Sequence, residues 1–261
     1  MLTALIHRPS PALNQCELTF LSSQPIDIDQ ANRQHAAYCD LLRQCGVEVI
    51  TLDKNLALPD SVFVEDTALV LDEIAIMTSM GAASRRAETA VIETELAQFR
   101  PIARLSLPAQ MEGGDILRVG QRLYVGLSTR TNTAGMNALA EIVAPYGYEV
   151  IGVSVTGCLH LKTGCTALDD RTILLNPNWI DSAPFAEFEQ LPVPEAEPFA
   201  ANILRIGQVI CMHAGFTQTR TLIEQRGYRL EVVDISEFLK AEAGLTCMSL
   251  IFNTSVRELP K

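Results

Sequence analysis

Apolar and polar positions alternate in four similar stretches: TALVLDEIAIMTS (67–79), ILRVGQRLYVGLS (116–128), TALDDRTILLNP (166–177) and NILRIGQVICMHA (202–214). Each is an apolar run, a polar turn and a second apolar run. The turns fall at Asp72-Glu73, Gly120-Gln121, Asp169-Asp170 and Gly207-Gln208. This pattern predicts four β-hairpins. Helical periodicity follows each hairpin, over 84–99, 131–147, a shorter 183–190, and 217–227. The N-terminal region supplies a fifth such stretch, 28–46, in which Ala31, Ala36, Leu41 and Leu42 mark one broad apolar face. Short strand-like segments come next: VEVITL, PIARLSL, YEVIGVSV and YRLEVVDI. The segment LPVPEAEPF carries three prolines and is less regular.

Hairpin, helix and strand therefore recur about every 40–50 residues, a period that suggests an array or a closed ring. Four units are complete. The fifth has a helix and a strand but no hairpin of its own. TALIHRP near the N-terminus and CMSLIFNTS near the C-terminus are the spare strands that would complete it and close the ring. An open α/β sheet is the alternative. Antiparallel hairpins disfavour a doubly wound parallel one.

In such a ring the residues leading into each hairpin lie near the axis, and there the chemistry concentrates. PDSVFVEDTA carries Asp60, Glu65 and Asp66 into the first hairpin, and MEGGDIL carries Glu112 and Asp115 into the second. GCLHLKTGCTAL brings His160 to the third, and GLTCMSL brings Cys247 to the closing strand. Each has a plain structural reading when taken alone. Glu65-Asp66 is then an exposed edge, Glu-Gly-Gly-Asp a turn whose glycines permit unusual backbone angles, His160 a core histidine and Cys247 core filler. Their coincidence ahead of successive repeats favours a site. A thiol near a histidine makes a nucleophile with a proton carrier. A glutamate beside that histidine fixes its tautomer. Further carboxylates suit a guanidinium, which they meet two hydrogen bonds at a time. Cys165, five residues beyond His160, is the rival nucleophile.

Composition narrows the classes. The chain has 261 residues, 48% hydrophobic and 20% charged, enough for a sizeable core within a single catalytic domain spanning 1–261. A formal net charge of −11 argues against nucleic acid and anionic membranes as partners, and is compatible with a small cationic substrate. No apolar run is long enough to span a bilayer, and the N-terminus lacks the pattern of a secretory signal. Seven cysteines without C-x-x-C spacing read as reduced thiols of a cytoplasmic protein.

The chain resembles the dimethylarginine dimethylaminohydrolases of the guanidino-modifying pentein superfamily. The resemblance rests on LPDSVFVEDTALV, GAASRRAE, EGGDIL, YVGLSTRTN, LHLKTGCT and GLTCMSLIFN, in the family's order. It implies a five-bladed α/β propeller with a central active site. It further implies Cys247 as nucleophile, His160 as general acid/base and Glu112 as the residue that orients it. Asp66 would accept the substrate guanidinium, with Asp60 and Glu65 in the same neighbourhood. Arg85 and Arg130 would hold the α-carboxylate, and Leu18 would help to close the pocket. Without the resemblance, the two arginines read as solvated positions. The implied reaction is hydrolysis of Nω-methylated L-arginines to L-citrulline and an amine, by a monomer or homodimer needing no metal or cofactor. The alternative is another pentein hydrolase, such as a citrulline hydrolase or an arginine deiminase. Deiminase relatives carry an aspartate two residues after the histidine. Here that position is Lys162, which cannot accept N–H bonds, and it disfavours unsubstituted arginine.

Overall fold

The computed structural model describes residues 1–254. Five three-stranded sheets are formed, and each follows one rule. The first strand pairs antiparallel with the second, and the second, in the middle, pairs parallel with the third. The first blade is Ala68–Val70, Ala75–Met77 and Ile102–Arg104. The second is Ile116–Val119, Arg122–Leu127 and Glu149–Ser154. The third is Cys165–Ala167, Thr172–Leu175 and Glu189–Pro192. The fourth is Leu204–Ile206, Val209–His213 and Arg229–Val233. The fifth is assembled from both ends of the chain: Leu250–Asn253 pairs antiparallel with Leu2–His7, which pairs parallel with Glu48–Leu52. The two spare strands thus close the ring as their sequence implied; Ser255 of CMSLIFNTS lies outside the described residues. The result is a five-bladed α/β propeller.

The middle-to-third connection must cross from one end of the sheet to the other, which a helix accomplishes. Thr89–Leu96, Thr133–Val143, Thr217–Glu224 and Ile28–Gln44 serve four blades. Asp27 caps the last of these by accepting from the Gln30 N–H at 2.9 Å, and Asn132 caps the second by accepting from the Gly135 N–H at 2.8 Å. The third blade departs from expectation: over 183–190 only the turn Ala183–Phe185 is helical, and the strand Glu189–Pro192 begins at once. Pro192 sits there without harm because the third strand is an edge. On Ile28–Gln44 the buried face is Ala31, Gln34, His35, Tyr38, Cys39, Leu41 and Leu42, whereas Ala36 faces solvent.

The first strands of all five blades face one another across the axis. Leu69, Leu117, Ala167, Leu204 and Ile251 all line one axial cavity of about 480 Å³. One helical turn leads into four of these strands: Val64–Thr67, Gly113–Asp115, Leu161–Gly164 and Thr246–Met248. These turns pack against each other and close the channel at one end. The glycines of Glu-Gly-Gly-Asp serve this packing. Neither has positive φ, contrary to the expectation of unusual backbone angles. A Cβ on Gly113 would lie 2.0 Å from the Glu65 carbonyl oxygen, and one on Gly114 2.6 Å from His160 Nδ1. The glycines are there for close approach.

Candidate active site

The four entry turns deliver Glu65 and Asp66, Glu112 and Asp115, His160, and Cys247 to the blocked end of the axis. All are buried, Glu112 completely. On the side away from the axial channel, a tight cavity of about 20 Å³ is lined by Asp60, Asp66, Arg85, Arg130, His160 and Cys247, together with Glu17 and Glu242. Residues far apart in sequence thus share one small space.

His160 Nε2 is 2.8 Å from Glu112 Oε2. Glu112 Oε1 accepts from the Ala82 N–H at 3.1 Å, and Arg130 Nη1 lies 3.5 Å away. Burial opposes charge on both partners. The surrounding charges win: Asp66, Asp115 and Glu112 together push His160 up to about 9, and the His160 and arginine charges hold Glu112 well below the usual carboxylate range. At neutral pH the pair is therefore imidazolium and carboxylate. His160 Nδ1 is 3.8 Å from Asp66 Oδ1, beyond hydrogen-bonding distance. Asp115 lies behind the ring, accepting from the Leu161 N–H at 2.9 Å and the Ser128 hydroxyl at 2.6 Å.

Burial pushes the Cys247 thiol up to about 12, with Glu65 and Asp66 adding to the effect; the Gly244 N–H, 3.3 Å from Sγ, acts the other way. At neutral pH this favours the thiol form. Cys165 is fully buried, its thiol is pushed further up by burial, and it does not line the cavity.

Asp66 accepts from Arg85 Nη1 at 2.7 Å and from the Gly114 N–H at 3.0 Å. Glu88, a residue no sequence pattern singled out, takes the other edge of Arg85: Nε and Nη2 reach its carboxylate at 3.1 and 2.9 Å. Arg85 Nη2 also donates to the Phe63 carbonyl oxygen at 3.0 Å. Arg130 is less committed, with Nη2 donating to Thr19 Oγ1 at 2.9 Å. Asp60 accepts from the Glu17 N–H at 3.2 Å.

Three expected positions lie elsewhere. Glu65 lines the axial channel, where it is paired with Lys162 and accepts from the Thr246 hydroxyl at 2.7 Å. Lys162 lines the same channel, not the Cys247 cavity. Leu18 is half-buried in the loop over the cavity without lining it, while its neighbours Glu17 and Thr19 make the contacts described above. Asn202 is the fourth blade's counterpart of the entry-turn residues. It accepts from the Thr246 N–H at 3.2 Å, and its Nδ2 donates to Thr246 Oγ1 at 3.1 Å and to the Lys162 carbonyl oxygen at 2.9 Å. Its place ahead of the fourth hairpin was the signal that could have found it. Asp66, Glu112 and His160 bring one ligand atom each within 4.8 Å of one another, a spacing able to hold a metal ion. The Arg85 guanidinium on Asp66 and the proton on His160 already supply positive charge there, which opposes a second cation.

The family model described as N,N dimethylarginine dimethylhydrolase, eukaryotic, matches residues 11–183. The N(G),N(G)-dimethylarginine dimethylaminohydrolase of Pseudomonas aeruginosa is 38% identical over 228 residues, 87% of this chain and 90% of the relative. That of Streptomyces coelicolor is 38% identical over 249 residues, 95% of each chain. The crystal structure of a cysteine-to-serine mutant of the Pseudomonas aeruginosa protein, complexed with citrulline, superimposes with a TM-score of 0.91 at 35% identity, covering 96% of this chain and 98% of that one. A five-bladed propeller with a thiol, an imidazolium–carboxylate pair and carboxylates at one end of its axis defines a guanidino-modifying protein. Within that class, the chain belongs to the dimethylarginine dimethylaminohydrolase family.

Proposed function

We propose that this protein hydrolyses Nω-methylated L-arginines to L-citrulline and methylamine or dimethylamine through a covalent bond to Cys247. The observation that carries the reading is one cavity lined by Cys247, by His160 hydrogen-bonded to Glu112, by Asp66 and by two arginines. Citrulline bound in the Pseudomonas aeruginosa relative supports the product.

The charges order the steps. With its thiol pushed up to about 12 by burial and by Glu65 and Asp66, Cys247 favours the thiol form until a cation arrives. A guanidinium in the cavity beside Asp66 lowers the cost of the thiolate, and the thiol proton leaves to solvent. The thiolate attacks the guanidino carbon. Nε2 of His160 is held by Glu112, so Nδ1 passes its proton to the departing amine as the C–N bond breaks. An amidino thioether remains. Neutral His160 then takes a proton from water, the water oxygen bonds to the same carbon, and the thiolate leaves as citrulline forms. Arg130 and the charge of Arg85 hold the α-carboxylate, and Asp60 faces the same cavity.

Selectivity follows from Glu65. Glu65 is paired with Lys162 and Thr246 on the axial-channel side and does not line the Cys247 cavity, so Asp66, which does, is the guanidinium's acceptor. Lys162 therefore acts through Glu65 and does not itself meet the substrate. An unmethylated guanidinium would leave buried N–H donors unpaired, at about 1–3 kcal/mol. A methylated nitrogen presents carbon there and avoids that cost. The test is incubation with arginine, monomethyl- and dimethylarginines, citrulline and agmatine, identifying both products. Methylarginines should exceed arginine in kcat/KM by about tenfold. Arginine as the best substrate would replace this reading with a deiminase.

A further inference from the structure

Glu242 stands where a glycine is expected. The short helix Ser236–Leu239 ends in two bonds that wrap back onto it, from the Glu242 N–H to the Leu239 carbonyl oxygen at 3.2 Å and from the Ala243 N–H to that of Phe238 at 3.1 Å. This ending places Glu242 in the left-handed region, at φ 58°, and it is the only such non-glycine residue among the described residues. Glycine usually fills this position because a Cβ is disfavoured there. Strain of this kind, retained beside a reactive cavity, points to a task for the side chain.

That side chain reaches across more than two hundred residues of sequence to a single loop. Glu242 is 6% exposed, and its carboxylate accepts from the Thr19 N–H at 3.1 and 3.0 Å and also from the Phe20 and Leu21 N–H groups. Three successive amides converge on one carboxylate. The same loop covers the cavity: Glu17 lines it, and the Thr19 hydroxyl accepts from Arg130. Phe20 in this loop is 44% exposed and so adds little packing to hold it down. Glu242 lines both the Cys247 cavity and a neighbouring one of about 420 Å³ that contains Leu21, Phe216 and Leu239.

We infer that Glu242 is a positioning residue: its carboxylate latches residues 19–21 shut over the cavity and, through Thr19, sets the orientation of Arg130. The effect on Arg130 rests on the reading that Arg130 holds the substrate carboxylate; the latch itself does not. Because Thr19 is both an anchored amide and the partner of Arg130, a loose loop means a loose arginine.

Glu242→Gly removes the carboxylate while giving the backbone the residue it prefers, so it separates the side chain's task from the helix ending. Hydrogen–deuterium exchange on substrate-free protein should show the amides of 19–21 exchanging at least about tenfold faster, with strands Leu2–His7 and Arg122–Leu127 unchanged. KM for a methylarginine should rise about tenfold while kcat stays within about threefold. Glu242→Gln, which keeps an acceptor oxygen but not the charge, should fall between the two, and it decides the matter should the glycine variant not fold. Loop amides within twofold of wild type would overturn the latch. Faster exchange with an unchanged KM would overturn the coupling to Arg130. A wild-type protein that turns over no methylarginine would count against the proposed function, while exchange would still decide the latch.

Discussion

Glu112→Gln should lower the proton affinity of His160, and the structure sets how far. Glu112 is one of three carboxylates that lift His160 from 6.5 to about 9, and the only one within hydrogen-bonding distance of the ring. An opposite charge at this range moves a titration midpoint by about 1–3 pH units. The amide adds to the loss. If its oxygen stays with the Ala82 N–H and Arg130, its NH₂ faces Nε2, which must then be an unprotonated acceptor. At pH 8 a group with its midpoint at about 9 is roughly nine-tenths protonated. Lowered by one unit it is half protonated, and by two units roughly one-tenth. The variant should therefore lose roughly two- to tenfold in kcat at pH 8 from protonation alone for a fall of one or two units, and about a hundredfold for three, and recover most of it near pH 6. The check is a pH–rate profile beside an NMR titration of the His160 ring. A loss of the same size at every pH, with the ring midpoint still near that of wild type, would refute the electrostatic role of Glu112.

Cys247→Ser should abolish turnover while keeping the melting temperature, read by product release beside calorimetry. Because the Cys247 thiol is pushed up to about 12, neutral iodoacetamide should label it slowly, and a cationic alkylating amidine of similar size should label it faster; equal rates by mass spectrometry would contradict the cation-gated thiol. Lys162→Met strands the Glu65 carboxylate in a buried position and should cost about 3–5 kcal/mol in denaturant unfolding, with Lys162→Met/Glu65→Leu recovering much of it. For His160, whose folded value lies above 6.5, the stabilisation is complete below pH 6.5 and is lost as pH rises through about 9, so His160→Asn should flatten that region of a stability–pH curve.

The ring was legible because its repeat is written in alternation and turn residues, both local signals. Gly120 and Gly207, at φ 60° and 59°, open two-residue hairpin loops where their sequence placed them. The missing helix in the third blade was not legible: AEFEQ has helical propensity, but Glu189–Pro192 takes up an edge position on the sheet instead. The axial groups were found because each precedes a repeat. Glu88 and Glu242 were not, since neither precedes a hairpin; Glu88 pairs locally with Arg85, three residues earlier in GAASRRAE, whereas the loop that Glu242 meets is brought to it only by folding. Lys162 was placed at the right turn but on the wrong side of it, because sequence order does not say toward which end of an axis a side chain extends.

The fifth blade has a mechanical consequence. Leu2 lies opposite Asn253, and the Thr254 N–H donates to the Met1 carbonyl oxygen at 2.8 Å, so the ends of the two strands are side by side. Tension applied through the two ends pulls across these strands, not along them. The hydrogen bonds would then break in succession, as in a zipper, starting with the outermost. The other four blades are each continuous in sequence and carry none of this load until the seam has opened. Cys247 is held by the strand on one side of that seam. Under tension the molecule would lose its thiol from the axis while His160, Glu112 and Asp66 remained in place.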